Sequence, residues 1–164
     1  MNKRRIGLGY SGLGNVLALL GYRYGSPESI TFVKQLGLMM AKEAYLASVE
    51  LAMEKGSFPL FDSDKYLEEG TFASKLPEDV KNEIRQHGIR NSHLLTIAPT
   101  GTISLAYMDN CSNGLEPPFD WIYTRKKRMD DGSLKEYTVI DGGIRIYLQQ
   151  LHRQGPSVTR IPVY

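Results

Sequence analysis

Leu94-Leu95-Thr96-Ile97-Ala98-Pro99-Thr100-Gly101-Thr102-Ile103-Ser104-Leu105-Ala106 runs from an apolar, β-rich stretch through a proline and a glycine into a second apolar stretch. That order reads as strand, loop and helix. Pro99 cannot donate to a sheet ladder and stops regular structure, while Gly101 lets the backbone come close to a ligand. Ile103-Ser104-Leu105-Ala106 then begins a helix. The first N–H groups of such a helix lack intrahelical acceptors, so with the Thr and Ser hydroxyls they would face an anion, with phosphate as the natural guest. Pro-Thr-Gly is also an ordinary turn between a strand and a helix, and the loop alone leaves both readings open.

The composition around this loop is that of a globular domain. The 164 residues are 41% hydrophobic and 23% charged, enough for one domain with a real core. The formal charge of +2, from 20 basic and 18 acidic residues, implies no general attraction to polyanions, so a nucleic-acid partner is not expected. Cys111 is the single cysteine, which excludes an internal disulfide framework and a multi-cysteine metal site and suits a reducing compartment. A cytoplasmic location is expected. Asn2-Lys3-Arg4-Arg5 is not followed by an apolar core of signal-peptide type, and no run approaches the roughly 20 apolar residues of a membrane span.

Several elements announce themselves. Tyr10 to Leu20 reads as a short helix, with Leu13, Val16, Leu17 and Leu20 at helical spacing and Gly21 at its end. Ser26-Pro27-Glu28 is a helix start, with Ser26 as N-cap and Pro27 in the first turn, and the helix runs to Gly56. At 1.5 Å per residue it spans about 43 Å, long for a chain of this size and suggestive of a larger parent. Its apolar stripe is expected at Ile30, Val33, Leu36, Met40, Ala44, Ala47 and Leu51. Leu76-Pro77-Glu78-Asp79 opens another helix ending near Gly88, and Ser92 to Ala98 is the best strand. Asp120 to Arg128 and Leu134 to Ile140 flank Asp130-Asp131-Gly132-Ser133 as a hairpin. Gly143 to His152 forms a final helix. No repeat or linker marks a boundary within the chain.

Other motifs carry less. Gly7-Leu8-Gly9-Tyr10-Ser11-Gly12 matches G-x-G-x-x-G, but no buried strand precedes it and no second strand ends in an acid about 20 residues on, so its glycines are expected to allow close helix packing. Cys111 has no nearby histidine in sequence and reads as a small buried residue. His87, His93 and His152 have neither metal-ligand spacing nor a fixed carboxylate partner. Arg125 to Arg128 lies on a hairpin strand, where a solvated edge is the ordinary explanation and a phosphate contact the secondary one. Glu116 is either a functional acid or a capping carboxylate.

Four motifs in order carry a specific resemblance. Lys3-Arg4-Arg5-Ile6-Gly7-Leu8-Gly9, Gly88-Ile89-Arg90-Asn91-Ser92, Ala98 to Ser104, and Ser112-Asn113-Gly114-Leu115-Glu116-Pro117 together resemble the large catalytic subunit of ribonucleotide reductase, across nearly the whole chain. The Pro-Thr-Gly-Thr-Ile-Ser form looks most like the adenosylcobalamin-dependent class II enzymes. The resemblance implies an α/β fold, α+β at the level of this segment, in which residues 1–164 are a C-terminal portion of the family's ten-stranded α/β barrel. It also implies that Pro99, Thr100, Gly101, Thr102 and Ile103 hold the phosphates of a ribonucleotide substrate.

The family's Asn-x-Cys-x-Glu motif, whose cysteine becomes the thiyl radical, is absent from this sequence, and a single cysteine cannot supply the family's reducing pair. No catalytic residue and no metal ligand is therefore carried over, and the segment is expected to be inactive alone. The complete enzyme implied by the resemblance uses adenosylcobalamin, a thioredoxin-type reductant and the remaining N-terminal part of the barrel. The other readings are a non-catalytic nucleotide-binding or assembly module that completes another chain, a fragment of a class I large subunit, and a nonfunctional remnant.

Overall fold

A computed structural model describes residues 2–107, 112 and 114–154. The chain divides into two compact units of interleaved segments, Met1–Gly9 with Phe32–Ile97 and Tyr10–Thr31 with Ala98–Tyr164. The elements in order are α1 (Leu13–Leu19), α2 (Pro27–Lys55), α3 (Ser63–Tyr66), a 3-10 turn (Ala73–Lys75), α4 (Glu78–His87), α5 (Gly101–Ala106), β1 (Ile122–Arg128), β2 (Leu134–Ile140) and α6 (Gly142–Gln154). This is a mixed α/β segment.

The ends of α2 follow from its caps. The Ser29 N–H donates to Ser26 Oγ at 3.3 Å, and Pro27 needs no acceptor in the first turn. The Glu28 carboxyl is held below its usual range by a backbone N–H and the Ser26 hydroxyl. At the far end Gly56 takes φ 76°, and the Arg90 guanidinium donates to the carbonyls of Lys55 at 2.7 Å and Gly56 at 2.9 Å. The first carbonyl closes the last turn and the second follows it, where no helical amide satisfies them. Arg90→Ala is therefore expected to destabilise the chain by about 1 kcal/mol in urea unfolding, and Arg90→Lys by less.

The buried line on α2 is not the expected one. Ala41, Tyr45, Ser48, Val49 and Ala52 are buried, whereas Ala47 and Leu51 of the expected stripe are exposed. The offset is one residue, about 100° around the helix. Apolar residues lie on several faces of α2, with Leu38, Met39 and Met53 each more than half exposed at 55%, 58% and 61%, so spacing alone does not select one. Ser48 also sits on the buried line, because its hydroxyl donates to Asn91 Oδ1 and accepts from the Asn91 N–H, both at 3.1 Å. Buried polar groups are tolerated when bonded in this way.

The core of the first unit lies between α2 and α4, where Tyr45, Val49, Phe58, Val80, Ile84 and Ile89 cluster. Val80 and Ile84, four residues apart on α4, are fully buried. Gly88 ends this helix at φ 75°. A Cβ there would also meet the Ser57 hydroxyl.

Ser92 to Ala98 does not form a strand of its own. It is extended, with one isolated parallel bridge between Leu95 and Leu8 and amide donations from Ile6 to His93 O at 3.0 Å, Leu8 to Leu94 O at 2.7 Å and Thr96 to Leu8 O at 2.9 Å. Gly7 and Gly9 serve this pairing rather than helix packing. A Cβ on Gly7 would stand 2.7 Å from Thr96 Cγ2, and one on Gly9 2.5 Å from Thr96 O. The third glycine, Gly12, is left-handed at φ 74° and delays the start of α1 to Leu13 instead of Tyr10.

In the second unit β1 and β2 pair antiparallel, Arg125 opposite Tyr137 and Lys126 opposite Glu136, with Gly132 at φ 82° in the connection. Helix α6 begins one residue before Gly143. Asp141 precedes it, buried, with Oδ1 accepting from the Gly143 N–H at 2.8 Å. This is an N-cap.

Candidate functional site

Residues 99–104 form one tight feature in the second unit. Thr100 adopts φ 27°, ψ 19°, a region that costs a residue with a Cβ energy and persists where surroundings impose it. Helix α5 starts immediately after it, with the Ser104 N–H donating to Thr100 O at 2.8 Å and the Tyr107 N–H to Ile103 O at 3.0 Å. The N–H groups of Gly101, Thr102 and Ile103 precede the first turn's acceptors, and none has a hydrogen-bond partner among the described residues. Thr100 Oγ1 and Ser104 Oγ lie 3.3 Å apart.

The five residues expected to bind substrate are thus gathered differently. Thr100, Gly101, Thr102 and Ile103 share the turn, with Thr102 and Ile103 exposed and Thr100 and Gly101 half-buried. Pro99 is exposed and supplies no donor; it shapes the approach. Ser104, outside the five-residue set, is fully buried, and its hydroxyl faces Thr100 Oγ1. Its place four residues after Thr100, one helical turn on, is the signal that points to it. Chemically, amides without intrahelical acceptors beside a threonine hydroxyl suit an anionic oxygen.

Gly114 and Glu116 stand beside this loop. A Cβ built on Gly114 would meet Glu116 Oε2 at 2.9 Å and Thr100 Oγ1 at 3.7 Å. Spacing along the chain could not reveal that approach.

Cys111 lies outside the described residues. His93 Nδ1 is 3.0 Å from the Ser92 hydroxyl, and His87 Nε2 is 3.7 Å from Glu83. Among the described residues no group of three His, Cys, Asp or Glu side chains is placed to hold a metal ion. On β1, Lys126 pairs with Glu136 at 2.9 Å and Arg125 donates to Tyr123 Oη at 2.8 Å, an arrangement of strand neighbours. The first unit holds a cavity of about 480 Å³ lined by Tyr45, Tyr66, Phe72, Leu94 and Leu95 among others. Burial, with Tyr45 alongside, pushes the Tyr66 hydroxyl pKa upward, so this phenol stays protonated and donates to Ser92 O at 3.2 Å. None of residues 99–104 lines that cavity. Among the described residues no helix is long and apolar enough to cross a membrane.

The family model for the ribonucleotide reductase barrel domain matches residues 1–156. The ribonucleoside-diphosphate reductase subunit alpha of Mycoplasma pneumoniae is 34% identical over 152 residues, covering 74% of this chain and 21% of that protein. The vitamin B12-dependent ribonucleoside-diphosphate reductase of Mycobacterium tuberculosis is 35% identical over 122 residues, covering 74% and 15%. The protein of the same name from Thermoplasma acidophilum is 31% identical over 154 residues, covering 92% and 18%. The chain belongs to the ribonucleotide reductase large-subunit family, as a segment of its barrel domain. It spans about a fifth or less of the length of these relatives.

Proposed function

We propose that this chain is a C-terminal part of the catalytic barrel of an adenosylcobalamin-dependent ribonucleoside-diphosphate reductase, in which Pro99 to Ile103 form the loop that holds the substrate phosphates. The observation that carries the reading is the turn at Thr100, with the amides of Gly101, Thr102 and Ile103 lacking partners among the described residues. Support for the cofactor class comes from the Pro-Thr-Gly-Thr-Ile-Ser form and from the two relatives named vitamin B12-dependent. The working enzyme on this reading reduces ribonucleotides in the cytoplasm with a thioredoxin-type reductant.

The division of labour follows from chemistry. The Thr100 hydroxyl and the amides of Gly101 to Ile103 bind and orient an anion. They do not fit a cobalt centre, and no radical step is assigned to them. The cofactor site and the Asn-x-Cys-x-Glu motif belong, on this reading, to the remaining N-terminal part of the barrel, the chain's partner.

Two measurements test this. Mixing the chain with a polypeptide that carries Asn-x-Cys-x-Glu should restore cobalamin-dependent deoxynucleotide formation; no product would refute the reading of this segment as part of such an enzyme. In the reconstituted protein, Thr100→Ala should weaken ribonucleoside diphosphate binding about tenfold, the lower end for one hydrogen bond to a charged group. Gly101→Val, which puts a branched side chain at the point of closest approach, should weaken it further. Unchanged affinity in both variants removes the loop assignment.

A further inference from the structure

Helix α1 holds the residues beside the phosphate loop in place, although it contributes no group to that loop. The Gly12 N–H donates to Gly114 O at 2.9 Å, and the Gly14 N–H to Leu115 O at 2.9 Å. These two amides belong to the start of α1, where intrahelical acceptors are missing, so the carbonyls of Gly114 and Leu115 take their place. The packing leaves no slack. A Cβ on Gly14 would stand 2.6 Å from Pro117 Cα and 2.7 Å from Pro117 N. Both are backbone atoms that cannot rotate away, so any side chain at position 14 displaces the chain at Glu116 and Pro117.

The other end of this contact is the loop. Thr100 Oγ1 lies 3.7 Å from where a Gly114 Cβ would be, and Glu116 Oε2 lies 2.9 Å from the same point. Thr100 has the unfavourable φ of 27°, which a free six-residue helix would not maintain unaided. Next along α1, Asn15 Nδ2 donates to Asp141 Oδ1 at 2.5 Å, both residues being buried, which fixes α1 against the start of α6.

From this chain of contacts we infer that Gly14 is a positioning residue for phosphate binding: through Leu115 and Pro117 it sets Gly114 and Glu116 against Thr100, and so keeps the Gly101 to Ile103 amides aimed at the anion. The inference rests on the phosphate-loop reading above. It makes the affinity of the loop a property of α1, more than eighty residues away in sequence.

The test uses the full chain, inorganic pyrophosphate as the probe, and amide NMR. In the unmodified chain, pyrophosphate should shift the Gly101, Thr102 and Ile103 resonances. If it does not, the phosphate-loop reading itself fails and the inference with it. Given binding, coupling between sites is reciprocal, so saturating pyrophosphate should slow hydrogen exchange of the Gly12 and Gly14 amides several-fold while leaving the β1 and β2 amides unchanged. No change at Gly12 and Gly14 overturns the inference and leaves the loop reading standing. The Gly14→Ala variant, with β1 and β2 resonances as the control for folding, should bind pyrophosphate at least tenfold more weakly. A folded variant of unchanged affinity overturns the inference equally. The exchange measurement decides the matter even where that variant does not fold.

Discussion

Ile84→Ala is expected to lower stability by about 3 kcal/mol, within the range for truncating a fully buried branched side chain. Ile84 has no exposed surface and belongs to the cluster with Tyr45, Val49, Phe58, Val80 and Ile89. The loss combines the transfer free energy of three carbons with the cavity they leave, since neighbours on α2 and α4 relax only in part. It is a large share of a typical domain stability of about 5 to 15 kcal/mol. Ile84→Val should cost about 1 kcal/mol. The paired control is Leu51→Ala, on the α2 stripe expected from spacing but 39% exposed in the structure; it should cost well under the Ile84 value. Urea unfolding of the three variants checks the order. If Leu51→Ala equals or exceeds Ile84→Ala, the buried face of α2 is not the one described.

The ends of α2 are encoded locally, and its buried face is not. Ser26, Pro27 and Gly56 define α2 because capping is local chemistry, settled within four residues of each end. Which face of α2 is buried depends on α4 and Phe58, and a helix apolar on several faces does not encode that choice in its spacing. The hairpin was readable because Asp130-Asp131-Gly132-Ser133 supplies both the turn and the register. The extended run through Leu94 and Leu95 forms an isolated bridge to Leu8 and no ladder among the described residues, since its partner segment is short and glycine-bound, and pairing is not a property of one strand alone. Helix α3, a single turn, has its signal in Asp62-Ser63-Asp64-Lys65, where Asp62 is an N-cap that accepts from the Lys65 N–H at 3.1 Å.

At the candidate site the residue types were legible and the geometry was not. Thr, Gly and Ser after Pro99 name an anion cradle from donor chemistry alone. Nothing in that stretch reveals a left-handed Thr100, because a non-glycine residue at positive φ is imposed by surroundings rather than chosen by the residue. Gly114 stands beside Thr100 Oγ1 and is bonded in turn to the start of α1, and contacts between segments about a hundred residues apart leave no periodic trace in a single sequence.

Asp141→Ala is expected to be the most damaging polar substitution, costing about 3 kcal/mol. The carboxylate is fully buried and accepts at Oδ1 from both Asn15 Nδ2 and the Gly143 N–H. Removing it deletes the N-cap of α6, worth about 1 kcal/mol, and leaves the buried Asn15 amide without that acceptor, a further cost of about 1 to 3 kcal/mol. Asp141→Asn keeps an acceptor oxygen of the same size in the same place, so it should lose much less. Asn15→Ala should fall between the two, because Asp141 then still caps α6. The double variant Asn15→Ala with Asp141→Ala should be less unstable than the sum of its parts, since each single change already removes the hydrogen bond that the two side chains share. Chemical denaturation of the four variants yields the coupling directly. Strict additivity would mean that the two side chains do not depend on each other, and α1 would then be held against α6 by packing alone.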